Sequence, residues 1–290
     1  MRDRSASIRT NSPQVLGYMN RRLIIAIAYI SGLLFALLLQ ALPNQVSIPT
    51  VAPVVLSQEL PTQLSTQQLS QQARAIAVKV LSGDTWGSGI LISHQDQIYT
   101  VVTNNHVLIP GIGGKYRIQT PDGHIYPASV PNGFNFAGND LALLQFNSDN
   151  TSYAVASLST SSIPKVGDTI FAAGFPVEAD ASIERGFILT TGQISLVTPQ
   201  DFAGGYQIGY TNDIQLGMSG GPMLNPQGQV IGINGMRKYP LWGNPYVFRD
   251  GSTANESMRE QMTQLSWAIP MRTFWQLAPQ LSANRSAEEL

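Results

Sequence analysis

Gly217-Met218-Ser219-Gly220-Gly221-Pro222 is the stretch on which the reading of this chain turns. A serine among glycines, followed by Met223-Leu224 and the turn signal Asn225-Pro226-Gln227-Gly228, belongs on a tight loop between strands. Such a loop holds a hydroxyl clear of its own backbone and sets amide hydrogens beside it. Acyl transfer by serine needs both, a nucleophile and donors where negative charge develops. Glycine-rich turns also carry serine for conformational reasons alone. The chemistry therefore depends on whether the chain also supplies a base and an acid to orient it.

The chain has three histidines. His94, in Ser93-His94-Gln95-Asp96-Gln97, reads as a hairpin tip, and His124, in Pro121-Asp122-Gly123-His124, as a turn. His106 differs: the β-rich run Tyr99-Thr100-Val101-Val102-Thr103 delivers Asn104-Asn105-His106 at its end. It is the candidate base. The acid is expected in Gly138-Asn139-Asp140-Leu141-Ala142-Leu143-Leu144. An aspartate opening a buried apolar strand is costly unless it accepts hydrogen bonds, for instance from an imidazole N–H. The bland alternative for Asp140 is a strand-opening turn.

Thr103-Asn104-Asn105-His106, Asp140-Leu141-Ala142-Leu143-Leu144 and the Ser219 hexapeptide resemble the three signature motifs of chymotrypsin-like (trypsin-fold) serine proteases, in that fold's His, Asp, Ser order. The flavour is that of the bacterial HtrA/Deg branch. Trp86-Gly87-Ser88-Gly89-Ile90-Leu91, Val166-Gly167-Asp168, Ala173-Gly174-Phe175-Pro176 and Thr191-Gly192-Gln193-Ile194-Ser195 resemble that branch too, so the likeness runs over roughly residues 73–276. The resemblance implies an all-β fold of two six-stranded antiparallel barrels, with a C-terminal helix over 272–281. It implies a serine endopeptidase with no metal or organic cofactor, acting on proteins or peptides. Ser219 would attack, His106 would shuttle the proton, Asp140 would orient the imidazole, and the N–H groups of Gly217 and Ser219 would hold the oxyanion. Asp213 stands six residues before Ser219, the count at which trypsin-like enzymes that prefer basic residues carry a pocket aspartate. HtrA relatives usually have a small residue there. Asp213 could instead cap a turn or pair with Arg237. Asn234, closing the candidate pocket strand 230–234, is the second substrate-binding candidate. The chain stops soon after the C-terminal helix, so the PDZ modules of full HtrA enzymes are expected to be missing.

The same residues admit two rival readings. A catalytically silent binding or sensor domain usually betrays itself by a lost triad member, whereas all three are present here. An esterase of the α/β-hydrolase kind would need the order Ser, Asp, His.

Composition narrows the field further. Charged residues make up 12% of the 290, the formal net charge is −1 and no basic block occurs in the body of the chain, so nothing argues for nucleic acid. Cysteine is absent, which removes thiol catalysis, thiolate–zinc sites and disulfide staples together.

The first 22 residues hold Arg2, Arg4, Arg9, Arg21 and Arg22 against the single acid Asp3, and 23–42 are then almost wholly apolar. A run of that length spans a bilayer as a helix. With the arginines on one flank, it would leave the N-terminus cytoplasmic and export the rest of the chain. An uncleaved signal anchor is favoured over a cleaved signal peptide, because Leu39-Gln40-Ala41 puts a leucine where a small residue is wanted. Residues 43–72, rich in Gln, Ser, Thr and Pro, read as a tether in which a short helix begins within 64–73. The protease domain is expected over 73–283, with a tail over 284–290.

Within it, β-rich runs at 75–81, 89–92, 98–103, 116–120, 126–129, 141–146, 169–173, 187–196, 207–210, 222–224, 230–233 and 266–269 alternate with turn residues. That spacing indicates an all-β barrel or sandwich. The glycines at 87, 89, 174 and 192 are expected to permit close packing rather than touch substrate, and Trp86, Trp267 and Trp275 to lie in the core.

Overall fold

Why this sequence closes on itself is clearest in Ile98–Thr103 and Val230–Met236. Apart from Ile98, every residue of these strands is buried. A strand with one solvated face would alternate. These are covered on both faces, by a barrel interior on one side and a neighbouring barrel on the other.

The structure is a computed structural model that describes residues 63–148, 151–160, 164–177, 186–240 and 244–281. The chain divides into two units, Met1–Gln58 and Glu59–Leu290. The apolar segment 23–42, the first unit as a whole and most of the expected tether lie outside the described residues. Among the described residues, no helix is long and apolar enough to cross a membrane.

In the second unit, β1 (Ala77–Ser82), β2 (Thr85–Gln95), β3 (Ile98–Thr103), β4 (Tyr116–Gln119), β5 (Ile125–Ser129) and β6 (Ala142–Asn147) close a barrel in the order β1-β2-β3-β6-β5-β4. A second barrel, in the order β10-β11-β12-β9-β8-β7, is built from β7 (Thr169–Gly174), β8 (Ile188–Phe202), β9 (Tyr206–Tyr210), β10 (Pro222–Leu224), β11 (Val230–Met236) and β12 (Ser266–Pro270). All pairings between these strands are antiparallel. Closure removes the unpaired edges on which an open sheet of this length would aggregate.

The first barrel is filled by Val78, Val80, Leu91, Tyr99, Val101 and Leu144, the second by Ile170, Ala172, Ile194, Ile208 and Met223. A third and larger core takes Ile90, Val102 and Leu143 from one barrel and Phe171, Ala173, Ile233 and Trp267 from the other. That shared core is the seam.

Two helices seal it. Helix α1 (Thr66–Ile76) starts at a capping box of Ser65 and Gln68 and buries Leu69, Ala73 and Ile76, its i, i+4, i+7 face. It runs to Ile76, so the expected first strand begins two residues late, at Ala77. The C-terminal helix α4 (Met271–Leu277) follows Pro270 directly and buries Met271 and Phe274. Between them lie α2 (Asn105–Leu108) and α3 (Glu256–Thr263). The latter was not expected: of its residues only Met262 is buried, so it shows no apolar stripe beyond the Asn255 cap.

Candidate active site

β3 ends at Thr103, and the chain turns at once into α2, which carries His106. Asn104, fully buried, donates from Nδ2 to the Asp140 carbonyl at 2.8 Å and so ties the histidine loop to the aspartate loop. The His106 backbone N–H donates to Asp140 Oδ1 at 2.8 Å, and Nδ1 meets Oδ2 at 2.6 Å. A carboxylate only accepts, so Nδ1 carries a proton, and in the neutral ring Nε2 keeps its lone pair. Burial by itself would raise the Asp140 carboxyl. The His106 ring bond and charge, the Tyr206 hydroxyl and the His106 backbone N–H outweigh it and hold the pKa below the ordinary carboxylate value.

The aspartate loop is braced from the second barrel. The Asp140 N–H donates to the Gly204 carbonyl at 2.8 Å, and Arg249 donates to Asn139 Oδ1 at 2.7 Å and to Asp201 Oδ2 at 2.5 Å. The acid thus belongs to one barrel and is braced from both, by Asn104 and His106 on its own side and through Gly204 and Arg249 on the other.

Ser219 is brought to the same place by β2. The Ser88 N–H donates to the Ser219 carbonyl at 2.8 Å. A Cβ on Gly87 would touch Val107 at 2.6 Å and that same carbonyl at 3.2 Å, so Val107, next to His106, and Ser219 share one glycine as their contact. The Ser88 hydroxyl donates to the Gly217 carbonyl at 2.8 Å and accepts the Phe175 N–H at 2.9 Å. Gly217 has φ +94°, and a side chain there would strike the Phe175 carbonyl at 2.5 Å. Only glycine fits. Among the described residues the N–H groups of Gly217 and Ser219 donate to no backbone or side-chain acceptor, whereas those of Met218, Gly220 and Gly221 are all engaged. The Ser219 hydroxyl donates to the Gly235 carbonyl at 2.9 Å.

The other candidates fall differently. His94 lies not at the hairpin tip but in β2, two residues before the turn, opposite Tyr99 with ring centroids 4.1 Å apart, whereas His124 follows a turn as expected and pairs with Asp122 at 2.9 Å. Trp267 is fully buried, while Trp86 and Trp275 are half-buried, with their indole N–H groups on the carbonyls of Phe175 and Ser159. Asn234 does not face a cleft. It is fully buried, its Oδ1 accepts the Tyr210 hydroxyl at 2.9 Å, and its Nδ2 donates to the carbonyls of Ala173 and Pro222, both at 3.1 Å. Its backbone exchanges bonds with Gly220 and Gly221. Asn234 therefore props the Ser219 loop and has no polar group left for substrate. Asp213 is exposed, and no cation of the described residues pairs with it, Arg237 included. Lys238 reaches the same loop but bonds the Thr211 carbonyl at 2.7 Å.

Sequence reasoning passes over Ser88 and Tyr206. Ser88 sits inside a motif whose glycines draw the eye. Tyr206 is one more aromatic at a strand end, without any local mark of its partner.

A groove of about 400 Å³ runs between the loop before β6 and the segment after His106, lined by Asn105, Asn139 and Leu141 but by none of His106, Asp140 and Ser219. Ile109, Ile112 and Val130 stand on its walls, 54%, 73% and 53% exposed.

A double barrel that carries a histidine–aspartate pair on its first half and a glycine-bound serine on its second points to the trypsin-like class. The family model of the trypsin-like peptidase domain matches residues 87–233, half of the chain, and the chain belongs to that family. It is 38% identical over 150 residues to a probable periplasmic serine endoprotease DegP-like of Chlamydia pneumoniae, covering 51% of this chain and 28% of that protein. It is 34% identical over 148 residues to the putative serine protease HhoA of Synechocystis sp., covering 51% and 36%. The chain thus spans about a third of the length of these relatives. In fold it is similar to a serine endoprotease from Yersinia pestis, with a TM-score of 0.54 at 24% identity over 77% of this chain and 68% of that one.

Proposed function

We propose that this protein is a serine endopeptidase that hydrolyses peptide bonds in proteins outside the cytoplasm, held to the membrane by residues 23–42. The observation that carries the reading is the His106–Asp140 pair, with Nε2 free to act as a base, together with a serine whose loop offers two amides that meet no acceptor among the described residues. Ser219 Oγ attacks the scissile carbonyl as His106 Nε2 takes its proton. The carbonyl oxygen, now negative, falls to the N–H groups of Gly217 and Ser219. His106 then gives the proton to the leaving amine, and water releases the acyl-enzyme by the reverse sequence. Asp140 keeps the imidazole in the productive tautomer and stabilises the imidazolium.

One observation favours the silent-domain reading, the Ser219 hydroxyl resting on the Gly235 carbonyl. Moving it from one staggered χ1 well to another frees it, and such bonds commonly form only once substrate is bound.

Specificity rests on Asp213. Its carboxylate would favour Lys or Arg before the scissile bond. Because the side chain is exposed, the preference is that of a surface pair, about 0.2–1 kcal/mol, or up to roughly fivefold. A peptide library read by mass spectrometry is expected to show cleavage after basic residues, and Asp213→Ser to lose up to that factor. Cleavage chiefly after Ala, Val or Leu, unchanged in the variant, contradicts the preference. No cleavage of any peptide contradicts the peptidase.

The export of the domain is supported by the arginine asymmetry around 23–42 and by relatives named as periplasmic. A reporter that works only in the cytoplasm, fused at the C-terminus, is expected to stay silent. A working one reverses the topology.

A further inference from the structure

Asp140 takes three hydrogen bonds on its carboxylate, and one of them comes from outside the first barrel. Tyr206 opens β9 and is 4% exposed. Its hydroxyl donates to Asp140 Oδ2, the oxygen that also receives His106 Nδ1. A buried phenol seeks a partner, but this one is steered to a single choice. Its ring stacks on Phe202 with centroids 5.8 Å apart. On one side lies Gly204, φ +86°, where a Cβ would meet the ring at 2.9 Å and Asp140 Cβ at 3.3 Å. On the other lies Gly235, where a Cβ would collide with the hydroxyl and with ring carbon Cζ at 2.7 Å. Two glycines therefore make the slot that the ring fills, and the second of them also receives the Ser219 hydroxyl. Burial first, then the Asp140 charge, push the phenol well above its ordinary value, so it is a donor at every pH where the enzyme works.

We infer that Tyr206 is a positioning residue, whose hydroxyl fixes the rotation and the charge of Asp140 and through it the aim of the His106 imidazole. The inference rests on the reading of His106, Asp140 and Ser219 as a triad. Among the described residues only His106 otherwise holds the carboxylate, by its N–H on Oδ1 and its Nδ1 on Oδ2, so without Tyr206 the carboxylate has no anchor independent of the imidazole it must aim. With one donor fewer it also takes up a proton at higher pH.

Tyr206→Phe keeps the ring and removes only the donor. A hydrogen bond to a buried charge corresponds to about a ten- to hundredfold effect. kcat is expected to fall by that factor with KM within about twofold, and the acid limb of kcat/KM is expected to move to higher pH. Tyr246→Phe serves as control. Tyr246 is as deeply buried, packs edge-on against the same Phe202 and bonds the Met262 carbonyl at 3.1 Å. It is expected to lower the thermal midpoint and leave the limb in place. If Tyr206→Phe fails to fold, Gly235→Ala displaces the hydroxyl without removing it and is expected to move the limb in the same direction. Folded Tyr206→Phe with the wild-type limb and kcat overturns the role of Tyr206 alone. A wild type that turns over no peptide overturns the triad reading and this inference with it.

Discussion

Ser219→Ala is expected to lower the kcat for peptide hydrolysis by several orders of magnitude, on the order of 10⁶-fold, while the domain stays folded. The hydroxyl contributes little to stability, because among the described residues its one partner is the Gly235 carbonyl at 2.9 Å in a half-buried place. His106→Ala is expected to cost a similar factor, and Ser219→Ala/His106→Ala little more than either alone. In the proposed mechanism the two residues act in one proton transfer, so removing the second partner removes nothing that still works. The residue of catalysis, about 10³–10⁴ over water, then comes from the amides of Gly217 and Ser219 and from binding. Steady-state kinetics of the purified full chain, with circular dichroism to check the fold, decides the matter. Two losses that multiply in the double variant would mean independent roles and would contradict the triad.

Asp140→Asn is expected to have the second largest effect, a loss of about 10⁴-fold near neutral pH. The carboxylate accepts from the His106 N–H, from His106 Nδ1 and from the Tyr206 hydroxyl, and it donates to nothing. An amide has only one accepting end. Whichever way it turns, its NH₂ faces a donor, unless the imidazole gives up the Nδ1 proton and so spends its Nε2 lone pair. Asp140 also dictates the response to acid. Its folded pKa lies below the ordinary value. The stability it contributes is therefore fully present above the ordinary carboxylate range and is lost as pH falls through the folded pKa. Denaturant titrations from neutral to acidic pH are expected to show that loss in the wild type and a flatter profile in Asp140→Asn. Equal slopes would contradict a salt-linked Asp140.

How much of this is legible in the sequence depends on where each residue's neighbours come from. His106, Asp140 and Ser219 carry their surroundings in sequence: a strand before the histidine, a strand after the aspartate, glycines about the serine. Local pattern and motif order are what make them candidates for one site. Strand β3 can be bounded to the residue because Asp96-Gln97 and Asn104 punctuate a run of β-formers. Partners supplied from the other barrel leave no such trace. Tyr206 reaches Asp140 across 66 positions, and nothing near either residue announces the pairing. Asn234 looks in sequence like a polar residue at the end of a pocket strand. Burial from both faces makes it the brace of the Ser219 loop, a tertiary outcome that a strand pattern does not encode. For Asp213, counting back from Ser219 fixes its position in the chain, whereas its exposure depends on how the loop between β9 and β10 lies. Closure of twelve strands into two barrels likewise came from motif resemblance, since strand spacing alone serves a sandwich as well.

The measurement that tests the account most directly is reaction of the purified full chain with a fluorophosphonate probe, wild type beside Ser219→Ala. Such a probe phosphonylates a serine only when a base draws off its proton and donors receive the resulting oxyanion, so it reads His106, Asp140 and the two amides at once. Labelling of the wild type at Ser219, located by peptide mass spectrometry and absent from Ser219→Ala and strongly reduced in His106→Ala, is the predicted result. A folded wild type that takes up no probe, or a Ser219→Ala variant labelled as fully as the wild type, would contradict it.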